Sequence, residues 1–156
     1  FVGYSGDNEA AKWAVESGLF DTLQTSFNLV DQHARAKLFR LCNDMGIGLI
    51  AKRPIANGVW GATSSPEAYA DEYYRRAQVM TKQGPIPGDI EDRILLAIGF
   101  VFSHPEVDTA IIGTRSTSHM LANIKMIEQD LPIPAETVEE LHNRFMEIGQ
   151  EWVQLE

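Results

Sequence analysis

Cysteine is nearly absent from this sequence: Cys42 is the single cysteine in 156 residues, so no intrachain disulfide can form. A chain without disulfides is typical of a reducing compartment, and we therefore expect a cytoplasmic protein. Basic residues are also few, with 13 Lys and Arg against 22 Asp and Glu and a formal net charge of −9. Because nucleic-acid binding needs a basic surface, this balance argues against DNA or RNA as a partner.

Long apolar runs and grouped metal ligands are missing as well. No apolar run approaches the roughly 20 residues that a membrane-spanning helix needs, so we expect no association with a membrane. The histidines are scattered along the chain, and no pair of them has the spacing of a metal site. The sequence therefore predicts no metal. The four histidines are His33, His104, His119 and His142.

The sequence does contain alternating strand and helix patterns. We predict four short strands, at 1–5, 22–27, 47–51 and 109–112, each followed by a helix. After the third strand comes a long irregular stretch and then two helices, which begin near Pro66 and Ile90. A last helix, 135–152, is added to the four βα units. This alternation indicates an α/β fold with a parallel sheet.

Two architectures fit this pattern. One is an open doubly wound sheet that stands alone, and the other is half of a (β/α)₈ TIM barrel, which normally needs about 250 residues. The chain opens directly on a strand pattern, Phe1-Val2-Gly3-Tyr4-Ser5, which favours the half-barrel and suggests a fragment of a longer protein. An isolated half-barrel leaves two strand edges and one sheet face without a partner, so we expect it to pair with another half.

In both architectures ligands bind beyond the carboxyl ends of the strands. These ends carry small, amide, hydroxyl and cationic groups, and such a set suits an anionic ligand such as a phosphorylated cofactor. The groups are Ser5, Gly6 and Asp7 at the first end, Gln24, Ser26, Asn28, Asp31 and Gln32 at the second, Lys52 and Arg53 at the third, and Gly113, Thr114, Arg115 and Ser116 at the fourth.

The fourth end lies in the stretch AIIGTRSTSHMLANIK, residues 110–125. A glycine lets the backbone approach a ligand closely, and the N–H groups at the start of the next helix point toward an anion. The spacing therefore fits a phosphate pocket at Gly113 and Arg115. It fits equally a plain strand-to-helix turn, in which Thr117 or Ser118 caps the helix and Arg115 is solvated.

The third end leaves a similar choice. Lys52 and Arg53 are adjacent cations, and a half-buried cation pair is costly unless an anion balances it. That anion could be the phosphate of a ligand or a protein carboxylate such as Asp31. The residues alone do not decide between them.

Four segments in this order, GYSGD, QTSFNLVDQ, GIGLIAKRPIANG and VDTAIIGTRSTSHMLANI, resemble the carboxyl-terminal half of an aldo/keto reductase. The likeness covers essentially the whole chain, as strands five to eight of the barrel with their helices and the added final helix. It implies that residues 1–156 are a single domain, the C-terminal half-barrel. It also implies a cofactor, NADPH or less often NADH, that reduces aldehydes or ketones without a metal.

The resemblance further implies which residues bind the dinucleotide. Ser5 and Gln24 match positions that hydrogen-bond the nicotinamide carboxamide, and Asn28 matches a position that shapes the loop after the second strand. The other matching positions run along the nicotinamide and diphosphate (Lys52, Arg53, Pro54 and Ile55) and around the adenosine phosphate and adenine (Gly113, Thr114, Arg115, His119 and Asn123).

Several of these positions depart from the family's pattern. Gly6 replaces a usual Asn, and Lys52 replaces the aromatic residue that commonly stacks under the nicotinamide. Gly113 and His119 stand where the family often has Lys and Arg beside the 2′-phosphate. Because a neutral His holds a phosphate less well than a permanent cation, the choice between NADPH and NADH stays open.

The family's catalytic Asp, Tyr, Lys and His lie on the first four strands of the barrel, and this chain has no counterpart of them. We therefore expect the cofactor-binding half of an NAD(P)H-dependent oxidoreductase, inactive alone. Its partners would be a small carbonyl substrate and a complementary N-terminal half-barrel. The alternatives are a half-barrel that associates with a second copy of itself and a stand-alone doubly wound domain that binds a phosphorylated ligand.

Overall fold

The computed structural model describes residues 2–3 and 8–155, which form four strands and six α-helices. A π-helix, Arg35–Phe39, runs directly into the second α-helix, and 3₁₀ turns lie at Ala56–Gly58 and Ala68–Ala70. The strands are β1 (Val2–Gly3), β2 (Thr22–Ser26), β3 (Gly48–Lys52) and β4 (Thr109–Ile111). The α-helices are α1 (Asn8–Glu16), α2 (Arg40–Met45), α3 (Asp71–Thr81), α4 (Arg93–Phe102), α5 (Thr117–Gln129) and α6 (Ala135–Ile148).

The strands form one sheet in the order β1-β2-β3-β4, and every neighbouring pair is parallel. The register runs straight across, because Ser26 lies opposite Lys52 and Lys52 lies opposite Ile111. Spatial order and chain order agree, so each connection steps to the next strand without a reversal. A doubly wound sheet contains such a reversal, and the strand order therefore disfavours the stand-alone doubly wound alternative.

One face of the sheet is covered by helices and the other is open. Leu23 of β2 and Leu49 of β3 are fully buried, whereas their neighbours Gln24 and Ile50 are half-buried. Successive side chains of a strand point to opposite faces, so Gln24 and Ile50 share the open face. This face is where the predicted ligand groups of the strands lie.

The core fills the space between the covered face and the helices. Phe27, directly after β2, contacts Phe39 with ring centroids 4.7 Å apart and Phe100 of α4 with centroids 5.5 Å apart. Cys42 is buried in the same core, and burial raises the pKa of its thiol to about 11. Cys42 is therefore a packing residue and not a reactive thiol.

Helix burial falls sharply toward the β4 edge of the sheet. Helix α4 buries six of its ten residues, whereas α5 buries none and exposes Met120, Leu121 and Ile124. Ile111 of β4 is also exposed, and so is Trp13 on α1, the helix that follows β1 in the chain. Apolar surface thus remains uncovered at both ends of the described sheet.

The helix predicted to begin at Ile90 begins three residues later because of its cap. Asp92 precedes α4 in an extended conformation, and its Oδ1 accepts the N–H of Ile94 at 2.7 Å and that of Leu95 at 3.1 Å. An aspartate at this position satisfies backbone donors that have no partner within the helix.

Two other helix boundaries also differ from the sequence prediction. Near Pro66 the chain first forms the Ala68–Ala70 turn, and α3 begins only after it. Helix α6 ends before Gly149 and does not continue to Trp152. No helix in residues 8–155 is long and apolar enough to cross a lipid bilayer.

Candidate functional site

The parallel register brings three of the predicted strand ends to one edge of the sheet. Ser26, Lys52 and Ile111 lie side by side as the last residues of β2, β3 and β4. The predicted site residue Arg53 follows the end of β3 directly, and Gly113 lies two residues after the end of β4. Gln24 lies two residues before Ser26, on the same open face and opposite Ile50 of β3. The predicted first end, including Ser5, lies outside the described residues.

The loop after β3 is held in an unusual backbone conformation. Arg53, Ala56 and Asn57 all have positive φ angles, of 56°, 47° and 57°. Each such residue costs on the order of 1 kcal/mol and persists only where its surroundings fix it. Asn28 provides one of the fixing contacts, because its Nδ2 donates to the carbonyl oxygen of Arg53 at 3.1 Å. The loop after β2 therefore shapes the loop after β3.

Pro54 and Ile55 complete this segment. Pro54 is buried, whereas Lys52 and Ile55 are half-buried. The N–H of Ala56 donates to the carbonyl oxygen of Arg53 at 2.8 Å, which closes a tight turn around these residues. The segment is thus a fixed surface at the third strand end and not an extended loop.

A buried polar cluster surrounds the side chain of Arg53. It consists of Ser26, Asp31, Arg53 and Tyr73, and all but Arg53 are almost completely buried. Burial raises the pKa of the Tyr73 hydroxyl, and so does the Asp31 carboxylate, while Arg53 and Ser26 lie near enough to lower it. One polar atom of each residue has no well-formed hydrogen bond among the described residues. Buried polar atoms of this kind need a hydrogen-bond partner, which water or a ligand can provide.

The position of Asp31 bears on the alternative partner for Arg53. The Arg53 guanidinium attracts the Asp31 carboxylate, yet the two form no ion pair within 4.0 Å in residues 8–155. Burial raises the pKa of Asp31 to about 6, against the opposing effects of the Leu155 N–H, Arg76 and Arg53. Asp31 therefore offsets the positive charge of Arg53 only in part. The remaining charge of Arg53 can attract a ligand anion.

The segment after α6 covers this cluster. The sequence analysis predicted helix up to residue 152 and no contact for residues 153–155. The N–H of Leu155 donates to Asp31 Oδ2 at 2.9 Å, and Gln154 Nε2 donates to Thr25 Oγ1 at 3.0 Å. Arg76 of α3 donates to the carbonyl oxygen of Val153 at 2.6 Å. These contacts tie the last residues of the chain to the end of β2.

Arg76 is itself buried, and its charge is balanced locally. Its Nε donates to Glu72 Oε1 at 2.8 Å, and its guanidinium lies 5.1 Å from the ring centroid of Trp152. Hydrogen bonds from Arg75 and Arg76 hold the pKa of Glu72 at about 2. Arg76 therefore serves the packing of α3 against the final segment and is not an open anion site.

The fourth strand end forms a capped turn. The N–H of Ser116 donates to Thr114 Oγ1 at 3.1 Å, and Ser116 Oγ accepts the N–H of His119 at 3.3 Å. Ser116 is thus the N-cap of α5, and the expectation that Thr117 or Ser118 caps the helix was wrong. Thr114 orients this cap.

The remaining predicted residues of the fourth end face outward. Gly113, Arg115 and His119 are exposed, and Asn123 lies half-buried one helical turn after His119 on the same side of α5. A Cβ built on Gly113 would meet no described atom within 4 Å. The surface beside the start of α5 therefore has room for a ligand against the backbone.

A pH series tests the burial of Asp31. Because its pKa is raised from 3.8 to about 6 in the folded state, the fold retains a proton between pH 4 and 6 that the unfolded chain has lost. Stability should therefore fall as pH rises through this window. We expect the free energy of unfolding of wild type relative to Asp31→Asn to fall by roughly 2–3 kcal/mol from pH 4 to pH 6.5. Urea unfolding at each pH measures it, and a constant difference would contradict the assignment.

Residues 9–143 match the Aldo/keto reductase family. One curated relative, from Bacillus subtilis (strain 168), is named "Uncharacterized oxidoreductase YrpG". It is 24% identical over 148 aligned residues, which cover 83% of this chain and 45% of the relative.

Solved structures of the aldo-keto reductase AKR11C1 from Bacillus halodurans share the fold. Its apo form aligns with a TM-score of 0.73 at 19% identity and its holo form with 0.72 at 18%. Each alignment covers 91% of this chain but only 49% and 48% of those chains, so the chain spans about half the length of the relatives it matches. The family match extends over most of the chain and includes the ends of β2, β3 and β4. This chain belongs to the aldo/keto reductase family.

Proposed function

We propose that this chain is the carboxyl-terminal half of a (β/α)₈ barrel, strands five to eight, and binds the cofactor of an NAD(P)H-dependent reductase of aldehydes or ketones. The observation that carries the proposal is the alignment of the ends of β2, β3 and β4, which gathers the predicted dinucleotide contacts at one edge of the sheet. Ligands of barrel enzymes bind at this edge.

The described groups fit the parts of a dinucleotide. Gln24 carries an amide on the open face, which suits the nicotinamide carboxamide. The 52–55 segment, with the incompletely paired Arg53 guanidinium, suits the nicotinamide and diphosphate. Gly113, Thr114 and Arg115 lie beside the start of α5, where backbone N–H groups favour an anion. His119 and Asn123 would contact the adenosine end. We place Ser5 with Gln24 on the resemblance alone.

Each residue here would hold or orient the cofactor, and none would act as the proton donor. When bound, NADPH supplies the hydride that reduces a carbonyl carbon. The protein must also supply a proton to the carbonyl oxygen, and the family's acid lies on strands that this chain does not contain. We therefore propose that the chain alone is inactive and that a complementary N-terminal half-barrel supplies the acid and most of the substrate pocket.

The uncovered surface supports pairing with another half. β1 and β4 each pair with one strand on one side only among the described residues, and Ile111 lies exposed on the open face. Among the described residues, no element covers the exposed apolar side chains of α5, Met120, Leu121 and Ile124. In a closed barrel the open face becomes the packed interior, and these edges pair with neighbouring strands.

A localisation follows from the composition. One buried cysteine and the absence of disulfide potential fit a reducing compartment, so we propose that the protein is cytoplasmic.

We expect Arg115→Ala to weaken binding of NADPH about 10-fold and binding of NADH less than threefold. The reason is that an exposed guanidinium at this end would pair with the 2′-phosphate that NADH lacks. Quenching of protein fluorescence measures both affinities. Arg40→Ala, at an exposed position on α2, is the matched control and should change neither. Equal losses for both dinucleotides, or no affinity in wild type, would contradict this assignment.

A reconstitution experiment tests whether the N-terminal half-barrel supplies the catalytic acid. The chain is mixed with an N-terminal half-barrel that carries the family's Asp, Tyr, Lys and His, and oxidation of NADPH is followed with an aromatic aldehyde. We expect turnover from the mixture and none from either half alone. Turnover by this chain alone would refute the proposal that the acid lies elsewhere.

A second candidate is a structural half-barrel that pairs with another copy of itself. The exposed apolar residues at opposite edges, Trp13 on α1 and Leu121 on α5, favour it because two copies could cover each other's edges. In that case sedimentation at micromolar concentration should give a dimer, and Leu121→Glu should shift it toward monomer, with Asn143→Asp as the exposed control. A folded wild-type monomer would exclude this candidate.

A further inference from the structure

Two histidines that are 38 residues apart in sequence meet where α4 ends against α6. His104 and His142 have their Nε2 atoms 3.0 Å apart. His104 is 5% exposed and packs edge-on against the rings of Phe27 and Phe100, which fix its position. His142 is half-buried, on the side of α6 that faces His104. Residue spacing along one helix cannot reveal a contact between two helices, so this histidine pair is not visible in the sequence.

The partner of each Nδ1 atom fixes where the ring carries its hydrogen. His104 Nδ1 lies 2.8 Å from the carbonyl oxygen of Phe100, which can only accept. His142 Nδ1 lies 2.7 Å from Oε1 of Gln32. The Nε2 of Gln32 donates to two backbone carbonyls, so its amide is oriented with Oε1 as the acceptor. Both neutral rings therefore carry hydrogen on Nδ1.

It follows that both Nε2 atoms carry a lone pair, and they lie 3.0 Å apart. Two adjacent lone pairs repel, and a cation that both nitrogens bind, beside the line joining them, removes the repulsion. Imidazoles that stay neutral remain available as metal ligands.

We propose that His104 and His142 form a two-nitrogen site for a divalent transition-metal ion, with Cu²⁺ or Ni²⁺ as the best fit. Metal–imidazole bonds are about 2.0–2.1 Å long, so nitrogens 3.0 Å apart subtend about 91–97° at the metal. That is the angle between neighbouring ligands in the tetragonal geometry of Cu²⁺ and Ni²⁺, whereas a tetrahedral Zn²⁺ site needs a separation of about 3.3 Å.

The surroundings match those of known metal-binding histidines. Such a histidine donates its other N–H to a carbonyl or carboxylate, which orients the ring, and both rings do so here through Phe100 and Gln32. The site is separate from the proposed dinucleotide contacts, none of which borders it.

The pair opens into a cavity of about 960 Å³ that can supply the other ligands. Arg35, Glu106 and Glu139 are its charged lining residues, and the two carboxylates offset the guanidinium. No group of three or more His, Cys, Asp and Glu residues is placed for metal binding in the part of the chain that the structure describes. Water molecules would therefore complete the coordination.

Titration of the untagged 156-residue chain with Cu²⁺ tests the site. We expect one tightly bound ion per chain, whose electron paramagnetic resonance spectrum shows hyperfine splitting from two imidazole nitrogens. His142→Gln should weaken binding at least 10-fold, since one of two protein ligands is lost. His119→Gln removes an exposed histidine of α5 and is the matched control, with affinity and spectrum unchanged.

Far-ultraviolet circular dichroism checks that each variant folds, and because His142 is half-exposed its variant decides the test even where His104→Gln does not fold. Equal Cu²⁺ affinity in wild type and His142→Gln would overturn the proposal. So would a metal-free wild type with no affinity for Cu²⁺ or Ni²⁺, in which nitrogen-15 spectra show a hydrogen on one Nε2. Neither result bears on dinucleotide binding.

Discussion

The parallel ladder between β2 and β3 decides where this molecule can bind a ligand. Five residue pairs, from Thr22 opposite Gly48 to Ser26 opposite Lys52, fix the relative height of the two strands. A slip of one residue would exchange the two faces of a strand and bury Gln24 among the helices. Because the ladder holds, the groups that follow β2 and β3 emerge at the same height, and Asn28 can reach the backbone of Arg53.

The sequence predicted the elements well because each carries a strong local signal. Short apolar runs marked the four strands, and their alternation with helices predicted the parallel sheet. The N-cap of α5 was harder to predict, because three consecutive hydroxyl residues could each cap the helix. The choice of Ser116 depends on the hydrogen bond from its N–H to Thr114. Local patterns do not encode such a contact.

Contacts between distant elements were beyond sequence reasoning for a related reason. The burial of Asp31 depends on Leu155, which lies 124 residues further along the chain, and the pairing of His104 with His142 depends on how α4 and α6 dock. Periodicity describes which face of one helix is apolar, but not which neighbour that face meets. The polar cluster at Arg53 was therefore visible only as a basic pair at a strand end.

The two halves of the proposed dinucleotide site differ in how firmly this chain supports them. The groups around Arg53 follow the buried strands β2 and β3, and the residues after α6 contact them through Leu155. Around Arg115 they rest on β4 and α5, which bury none of their residues. Elements with few buried contacts open at low free-energy cost, so the adenosine end should gain order when the neighbouring strand and helix cover it. Completing the barrel would then strengthen cofactor binding even without adding a direct contact to the cofactor, because it would remove the cost of ordering that edge.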